Sequence, residues 1–147
     1  MLIAQASAGD AAAIAPLFDA YRQFFAGRAE FDASARFLTE RLARGECIVF
    51  FASTGGEVEG FITLYPLWSS WHCKRIWFLS DLYVRESSRK RGIGRRLVER
   101  VIAYAHETGA SSVMVELPHR EPHLREFYVR LGFRDDELFD LARYVTR

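Results

Sequence analysis

The residues in this chain best suited to chemistry are gathered in one run, Asp81-Leu82-Tyr83-Val84-Arg85-Glu86-Ser87-Ser88-Arg89-Lys90-Arg91-Gly92-Ile93-Gly94-Arg95-Arg96-Leu97. An apolar, strand-like segment enters a basic turn with two glycines, and an amphipathic helix follows directly. A helix start presents amide N–H groups without backbone partners, together with a positive partial charge. Glycines there remove the Cβ atoms that would keep a phosphate off the backbone, so the run reads as an anion-binding construction. Seven basic residues (Arg85, Arg89, Lys90, Arg91, Arg95, Arg96 and Arg100) fall within sixteen positions of a chain whose formal charge is only +1. The positive charge therefore sits where the amides are. The run is neither a dinucleotide fingerprint, which needs a third glycine and a ribose-binding carboxylate downstream, nor a P-loop, which needs Gly-Lys-Ser/Thr.

The elements that must hold this turn can be read on either side of it. Leu2 to Ala6 is short and apolar, and Gly9-Asp10 offers a cap for a helix carrying Ile14, Leu17, Phe18, Tyr21 and Phe25 on one face, with Pro16 blurring its start. A second helical pattern runs from Asp32, as N-cap, through Phe37, Leu38, Arg41 and Leu42 to Gly45. Cys47–Ala52 and Val58–Tyr65 read as a hairpin turned by Ser-Thr-Gly-Gly, and Arg75–Val84 as a longer strand after a loop, Leu67–Cys73. Arg91–Thr108 reads as a helix ended by Gly109, Ser112–Leu117 as a strand, and a short helix spans about Leu124–Leu131. The apolar tail Leu138–Thr146 reads as one or two last strands. The expected fold is α/β with a mixed sheet, about seven strands and four helices, in the order β-α-α-β-β-β-α-β-α-β-β, forming one domain over residues 1–147.

Two motifs now resemble those of the GNAT superfamily of acetyl-CoA-dependent N-acetyltransferases. Arg89-x-x-Gly92-x-Gly94 is similar to its acetyl-CoA signature, and Phe127-Tyr128-x-x-Leu131-Gly132-Phe133 is similar to its Tyr-x-x-x-Gly-Phe element. The Leu79-Ser80-Asp81-Leu82-Tyr83-Val84 strand further resembles the spermidine/spermine-like and small protein-acetylating branch. The resemblance implies the GNAT-type acyl-CoA N-acyltransferase fold and acetyl transfer from acetyl-CoA to a primary amine. The acceptor is then a small amine, a polyamine, an amino acid, or a peptide or protein lysine. It implies that the main chain of Leu82, Tyr83 and Val84 bonds the pantetheine arm, and that the turn of Arg89, Lys90, Arg91, Gly92, Ile93, Gly94 and Arg95 holds the pyrophosphate. One departure stands out, since Glu121 and Leu124 replace the Asn and Ala that the family often has seven and four residues before the tyrosine.

Within that reading Tyr128 is the candidate general acid for the departing thiolate. Asp81 is the favoured acceptor of the amine proton, through water, with Glu116 and then Glu121 as alternatives and a structural role at a strand bulge nearly as well supported for Asp81. Tyr21, Phe25, Tyr65 and Trp68 could line an amine pocket, because aromatic faces attract ammonium and aryl groups, though the spacing of Tyr21, Phe24 and Phe25 is better explained by core packing. His72, His106, His119 and His123 have no metal-ligand spacing, so no metal is expected. Cys47 and Cys73 read as two reduced core thiols. Twenty basic against nineteen acidic residues leave no field that would draw nucleic acid or a membrane. The start MLIAQASAGDAAA lacks the pattern of a signal peptide, so a cytoplasmic location is expected. A homodimer through Leu138–Thr146 is expected too, and the alternative function is a non-catalytic acyl-CoA sensor or partner-binding domain.

Overall fold

The computed structural model describes residues 1–27, 30–135 and 141–146. They fall into two compact units, Met1–Glu116 and Leu117–Arg147.

The first unit is built on one sheet in which the strands lie in chain order. Strands β1 (Leu2–Gln5), β2 (Ile48–Thr54), β3 (Glu57–Ser69) and β4 (Lys74–Val84) pair antiparallel, and β5 (Ser112–Val115) adds parallel to β4, so the sheet is mixed as expected. Helices α1 (Ala11–Ala26) and α2 (Phe31–Ala43) connect β1 to β2. Helix α3 (Ile93–Glu107) is the crossover between β4 and β5 that parallel strands require. α1 buries Ile14, Leu17 and Phe18 with Leu38 of α2 against Val49, Val58 and Phe61. On α3, Tyr104 packs its ring 5.4 Å from Phe50 and 5.3 Å from Trp77. Phe50 and Phe61 therefore serve opposite faces of the sheet, and period-two alternation in β2 and β3 feeds both layers.

Two strands carry an extra residue, and both irregularities bear on function. In β3, Ala52 faces Gly60 and Ser53 faces Val58, which leaves Glu59 as a bulge. In β4, Leu64 faces Leu79 and Thr63 faces Asp81, which leaves Ser80 as a bulge. A bulge reverses the alternation beyond it. Trp77 contacts α3, whereas Tyr83, six residues on, contacts Tyr21 of α1 at 6.3 Å between ring centroids. Without the extra residue Asp81 and Tyr83 would share the face of Trp77.

Several sequence expectations need correction. α2 starts after Glu30, with Asp32 in its first turn instead of capping it. Of the expected loop Leu67–Cys73, residues 67–69 are strand and only 70–73 turn, because Pro66–Ser69 continue pairing with Lys74–Trp77, and Arg75 stacks 4.0 Å from the Trp68 ring and 5.3 Å from Trp77. Cys47 is buried, but Cys73 is exposed at the hairpin tip with a positive φ of 50°. Five strands and four α-helices are present among the described residues, against the seven strands expected. Of the expected terminal strands, 138–140 lie outside the described residues, and 141–146 form none. An apolar run becomes a strand only with a hydrogen-bonded neighbour, and Leu141, Tyr144 and Val145 are exposed.

In the second unit α4 (Pro122–Arg130) begins with its proline in the first turn, where a missing N–H costs nothing. Its Tyr128 is buried, with ring centroids 5.0 Å from Phe127 and 5.2 Å from Phe133, and Arg125 pairs with Asp135.

Candidate active site

The parallel pairing of β4 with β5 ends at Leu79 opposite Val115, yet β4 runs on to Val84. From Asp81 to Val84 it pairs only with β3, through Thr63, Ile62, Phe61 and Gly60. The main chain of Leu82, Tyr83 and Val84 is thus strand backbone without a β5 partner, and of its polar groups turned away from β3 the Val84 carbonyl accepts from Arg89 Nε.

A short 3₁₀ turn at Glu86–Ser88 and then Arg89 lead into α3. Gly92 caps α3 at φ 79°, a left-handed conformation that glycine adopts without the Cβ penalty, and no side chain caps the start. The N–H groups of Ile93, Gly94 and Arg95 are therefore donors at a positively polarised helix end, a fit for a pyrophosphate. Lys90 also takes a positive φ of 62°. Arg89 donates its Nε to the Val84 carbonyl at 2.9 Å, with its guanidinium 5.3 Å from the Tyr83 ring, so its charge is not spent on a carboxylate. Arg91 and Arg95 are engaged by Glu59 (3.2 Å) and Glu99 (2.7 Å). Among the described residues Lys90 and Arg96 carry no ion pair, so Arg89, Lys90 and Arg96 are cations of this segment that no carboxylate engages.

What steadies this turn is a residue that the sequence reading passed over. Glu59, turned out of alternation by its bulge, accepts hydrogen bonds from Thr54 Oγ1 (2.7 Å), buried Ser88 Oγ (3.2 Å) and Arg91 Nη1 (3.2 Å), while its carbonyl accepts from the Arg85 amide at 2.8 Å. The Thr54 hydroxyl above all, then Ser88 and Arg91, hold the Glu59 carboxyl below the usual range. The signal was a lone carboxylate inside the apolar run Val58–Tyr65.

Asp81 stands where β4 leaves β5, and it is only 7% exposed. Burial raises its carboxyl above the usual range, while the hydroxyls of Tyr21, Ser80 and Thr63 pull it partly back. Ser80 Oγ donates to Asp81 Oδ1 at 3.1 Å, and the Tyr21 hydroxyl also lies 3.5 Å from the Ser80 carbonyl. Thr63, across the pair from Asp81, is buried with a hydroxyl that approaches the carboxylate without completing a hydrogen bond of normal geometry. A carboxylate raised by burial is a better base than one in water, because its proton affinity moves toward neutrality.

The remaining candidates scatter. Tyr21 and Phe25 come together, with ring centroids 4.9 Å apart, and Tyr21 reaches Asp81. Tyr65 packs at the edge of the same core, its phenol raised by burial and then by the Asp81 charge. Trp68 is five positions along β3 from Thr63, about 17 Å at strand spacing, and is occupied by Arg75. Glu116 is exposed just past the end of β5. Burial raises the Tyr128 phenol, which therefore stays protonated at neutral pH. The Cys47 thiol is pushed up to about 11 by burial and the Asp81 charge, so it is no nucleophile.

Comparison with known proteins bears on the family and the fold. Residues 13–133 match the acetyltransferase (GNAT) family. The chain is 38% identical over 139 residues to an uncharacterized N-acetyltransferase of Bacillus subtilis, covering 95% of this chain and 93% of that one. It is 29% identical over 104 residues to the D-amino-acid N-acetyltransferase of Saccharomyces cerevisiae, covering 71% of this chain and 64% of that one. The crystal structure of a probable acetyltransferase superposes with a TM-score of 0.94 at 32% identity, covering 100% of this chain and 99% of that one. Its α/β fold, with a mixed five-stranded sheet and four helices, and its sequence together assign the chain to the GNAT acetyltransferase family.

Proposed function

We propose that this protein transfers an acetyl group from acetyl-CoA to a primary amine by direct attack in a ternary complex. The observation that carries the reading is the uncapped start of α3 at left-handed Gly92, continuous with the stretch of β4 that has left β5. In this reading the main chain of Leu82, Tyr83 and Val84 hydrogen-bonds the pantetheine arm, and the turn from Arg89 to Arg95 takes the pyrophosphate. Holding thioester and amine together turns a bimolecular aminolysis into an effectively intramolecular one, an effect that reaches about 7–11 kcal/mol with good alignment. Amides of the unpaired stretch of β4 polarise the thioester carbonyl and stabilise the charge that develops on its oxygen.

The amine must lose a proton, since a lysine-like nitrogen has a reference pKa of about 10.4. Asp81 accepts it, directly or through water, as a carboxylate made more basic by burial. Tyr128 protonates the departing thiolate; from a phenol of reference pKa about 10 to a thiol near 8.5 the transfer is uphill by about 2 kcal/mol, and burial of Tyr128 adds to that, so a shared hydrogen bond must carry it. A role for both units in one domain is supported by the family match, which runs through residue 133.

CoA thiol release across a panel of amines, with acetyl-CoA binding followed in parallel, tests the reading. Turnover with any amine sustains it, and tight acetyl-CoA binding without turnover would favour the acyl-CoA sensor. The proposal extends to a cytoplasmic location and to a homodimer, the latter supported by exposed Leu141, Tyr144 and Val145 in the tail. A monomer mass independent of concentration in sedimentation would remove the dimer.

A further inference from the structure

Resting on the acetyltransferase reading, the side chains around Asp81 narrow the acceptor to one chemical class. The path outward from the carboxylate is made of rings. The Tyr21 hydroxyl bonds Asp81, and the Tyr21 ring packs 6.3 Å from Tyr83, 6.0 Å from Phe61 and 4.9 Å from Phe25. Phe25 in turn lies 5.0 Å from Phe24. Phe61 is buried and Tyr21 and Tyr83 are half-buried, whereas Phe25 is 54% and Phe24 63% exposed, an unfavourable way to end a helix unless something apolar covers it.

The charges near this path are as informative as the rings. Between Ala11 and Ala26 the only ionisable groups besides Tyr21 are Asp19 and Arg22. Asp19 is buried and taken by Ser34 (2.6 Å) and Gln23 (3.2 Å), and Arg22 donates to the same Ser34 at 2.8 Å. Asp19 is thus engaged within the fold, and Arg22 adds a cation, not a second counter-charge for an ammonium group. Along α1 the path thus ends inward on a single carboxylate and outward on apolar rings, and Arg89, with its guanidinium 5.3 Å from the Tyr83 ring, adds a cation beside the inner end. An acceptor with several ammonium groups would leave all but one without a counter-charge along it, at a high desolvation cost. A single ammonium on an aryl body matches both ends.

We infer that the acceptor is an arylalkylamine with one cationic nitrogen. Its ammonium lies toward Asp81, and its ring rests on Tyr21 and Phe25. The nitrogen loses its proton to Asp81, attacks the thioester carbonyl carbon, and forms the amide as the carbon–sulfur bond breaks and the thiolate leaves.

The test is a competition between amines on the full-length protein. With saturating acetyl-CoA, kcat/KM is measured for 2-phenylethylamine, propylamine, spermidine, an aminoglycoside and a lysine peptide. We expect 2-phenylethylamine to exceed propylamine by tenfold or more, and to exceed every polycation. In Phe25→Ala, and in Phe25→Leu as a milder change at this exposed position, the phenylethylamine-to-propylamine ratio should fall by about tenfold and about threefold respectively, through KM. Turnover that favours spermidine, the aminoglycoside or the peptide overturns this inference and leaves the acetyltransferase reading intact. A ratio that Phe25→Ala leaves unchanged also overturns it. Acetyl-CoA binding with no turnover of any amine overturns both.

Discussion

Gly60 offers the sharpest test of how the sheet holds the turn between β4 and α3, which the proposed function assigns to the pyrophosphate. A Cβ added there would lie 3.1 Å from the Tyr83 carbonyl oxygen, 3.2 Å from Ile93 Cγ2 and 3.3 Å from Leu97 Cδ1. Ordinary carbon contacts fall at about 3.5–4.0 Å, so all three neighbours must give by a few tenths of an ångström. None can do so easily. Tyr83 is held in its strand pair with Phe61, and Ile93 and Leu97 are buried at 3% and 0% exposure. Overpacking of this kind costs about 1–3 kcal/mol. Because Gly60 has an ordinary φ, alanine also stiffens the unfolded chain, which returns about 0.4–1 kcal/mol. The net for Gly60→Ala is a loss of about 1–2 kcal/mol. With an unfolding entropy of about 2.1 cal/mol/K per residue, a chain of this length should lose about 3–6 °C in Tm. Ile93 is also the first residue of α3, so the same push should move the helix start and weaken acetyl-CoA binding, measured by calorimetry beside the thermal scan. An unchanged or higher Tm would refute the crowding argument, and a lower Tm with unaltered acetyl-CoA affinity would refute the link from Gly60 to the turn.

Asp81→Asn should reduce kcat by about 10²- to 10⁴-fold while raising Tm at neutral pH. Burial raises the Asp81 carboxyl, so the fold prefers its protonated form; that stability is full below the ordinary carboxylate pKa and lost as pH rises through the raised value. The Tm advantage of the asparagine variant should therefore vanish in acid and grow toward pH 7, and a constant offset would sink the argument. Glu59 has the opposite sign, since its lowered pKa gives stability that is present above the ordinary glutamate range and lost only as pH falls through the lowered value. Glu59→Gln should weaken acetyl-CoA binding by up to about tenfold by freeing Arg91 and Ser88 from their charged anchor, with little change in kcat; equal binding by equilibrium titration would contradict this. Gly92→Ala meets open space but must hold φ near 79°, so about 1–2 kcal/mol of strain at the helix start should appear as a lower Tm and a higher KM for acetyl-CoA. Tyr128→Phe keeps the contacts with Phe127 and Phe133, so it should lower kcat by about 10²-fold with acetyl-CoA affinity unchanged, and a full maximal rate would remove Tyr128 as the acid.

The basic turn between β4 and α3 was legible in the sequence because everything that makes it is local. Strand, glycines, basic residues and amphipathic helix follow one another without a break between Lys74 and Glu107, and local spacing determines helix starts and turns. The same holds for the apolar stripe of α1, the Gly55-Gly56 hairpin and the mixed order of the sheet. Asp81 could be named as a strand carboxylate beside the expected acetyl site, but its orientation could not, because a bulge is a one-residue mismatch between strands paired across the sheet. Only the register of β4 on β3 turns Asp81 to the α1 face and brings it to Tyr21, sixty positions earlier in the chain and on a different element. The register of β3 on β2 likewise turns Glu59 toward Ser88 and Arg91. The tail failed for the same kind of reason: its composition is that of a strand, but whether an apolar run pairs depends on a neighbour that period and propensity do not encode. Amino-acid order alone determined the chemistry along β4 and α3, and the tertiary pairing decided which way its two carboxylates point.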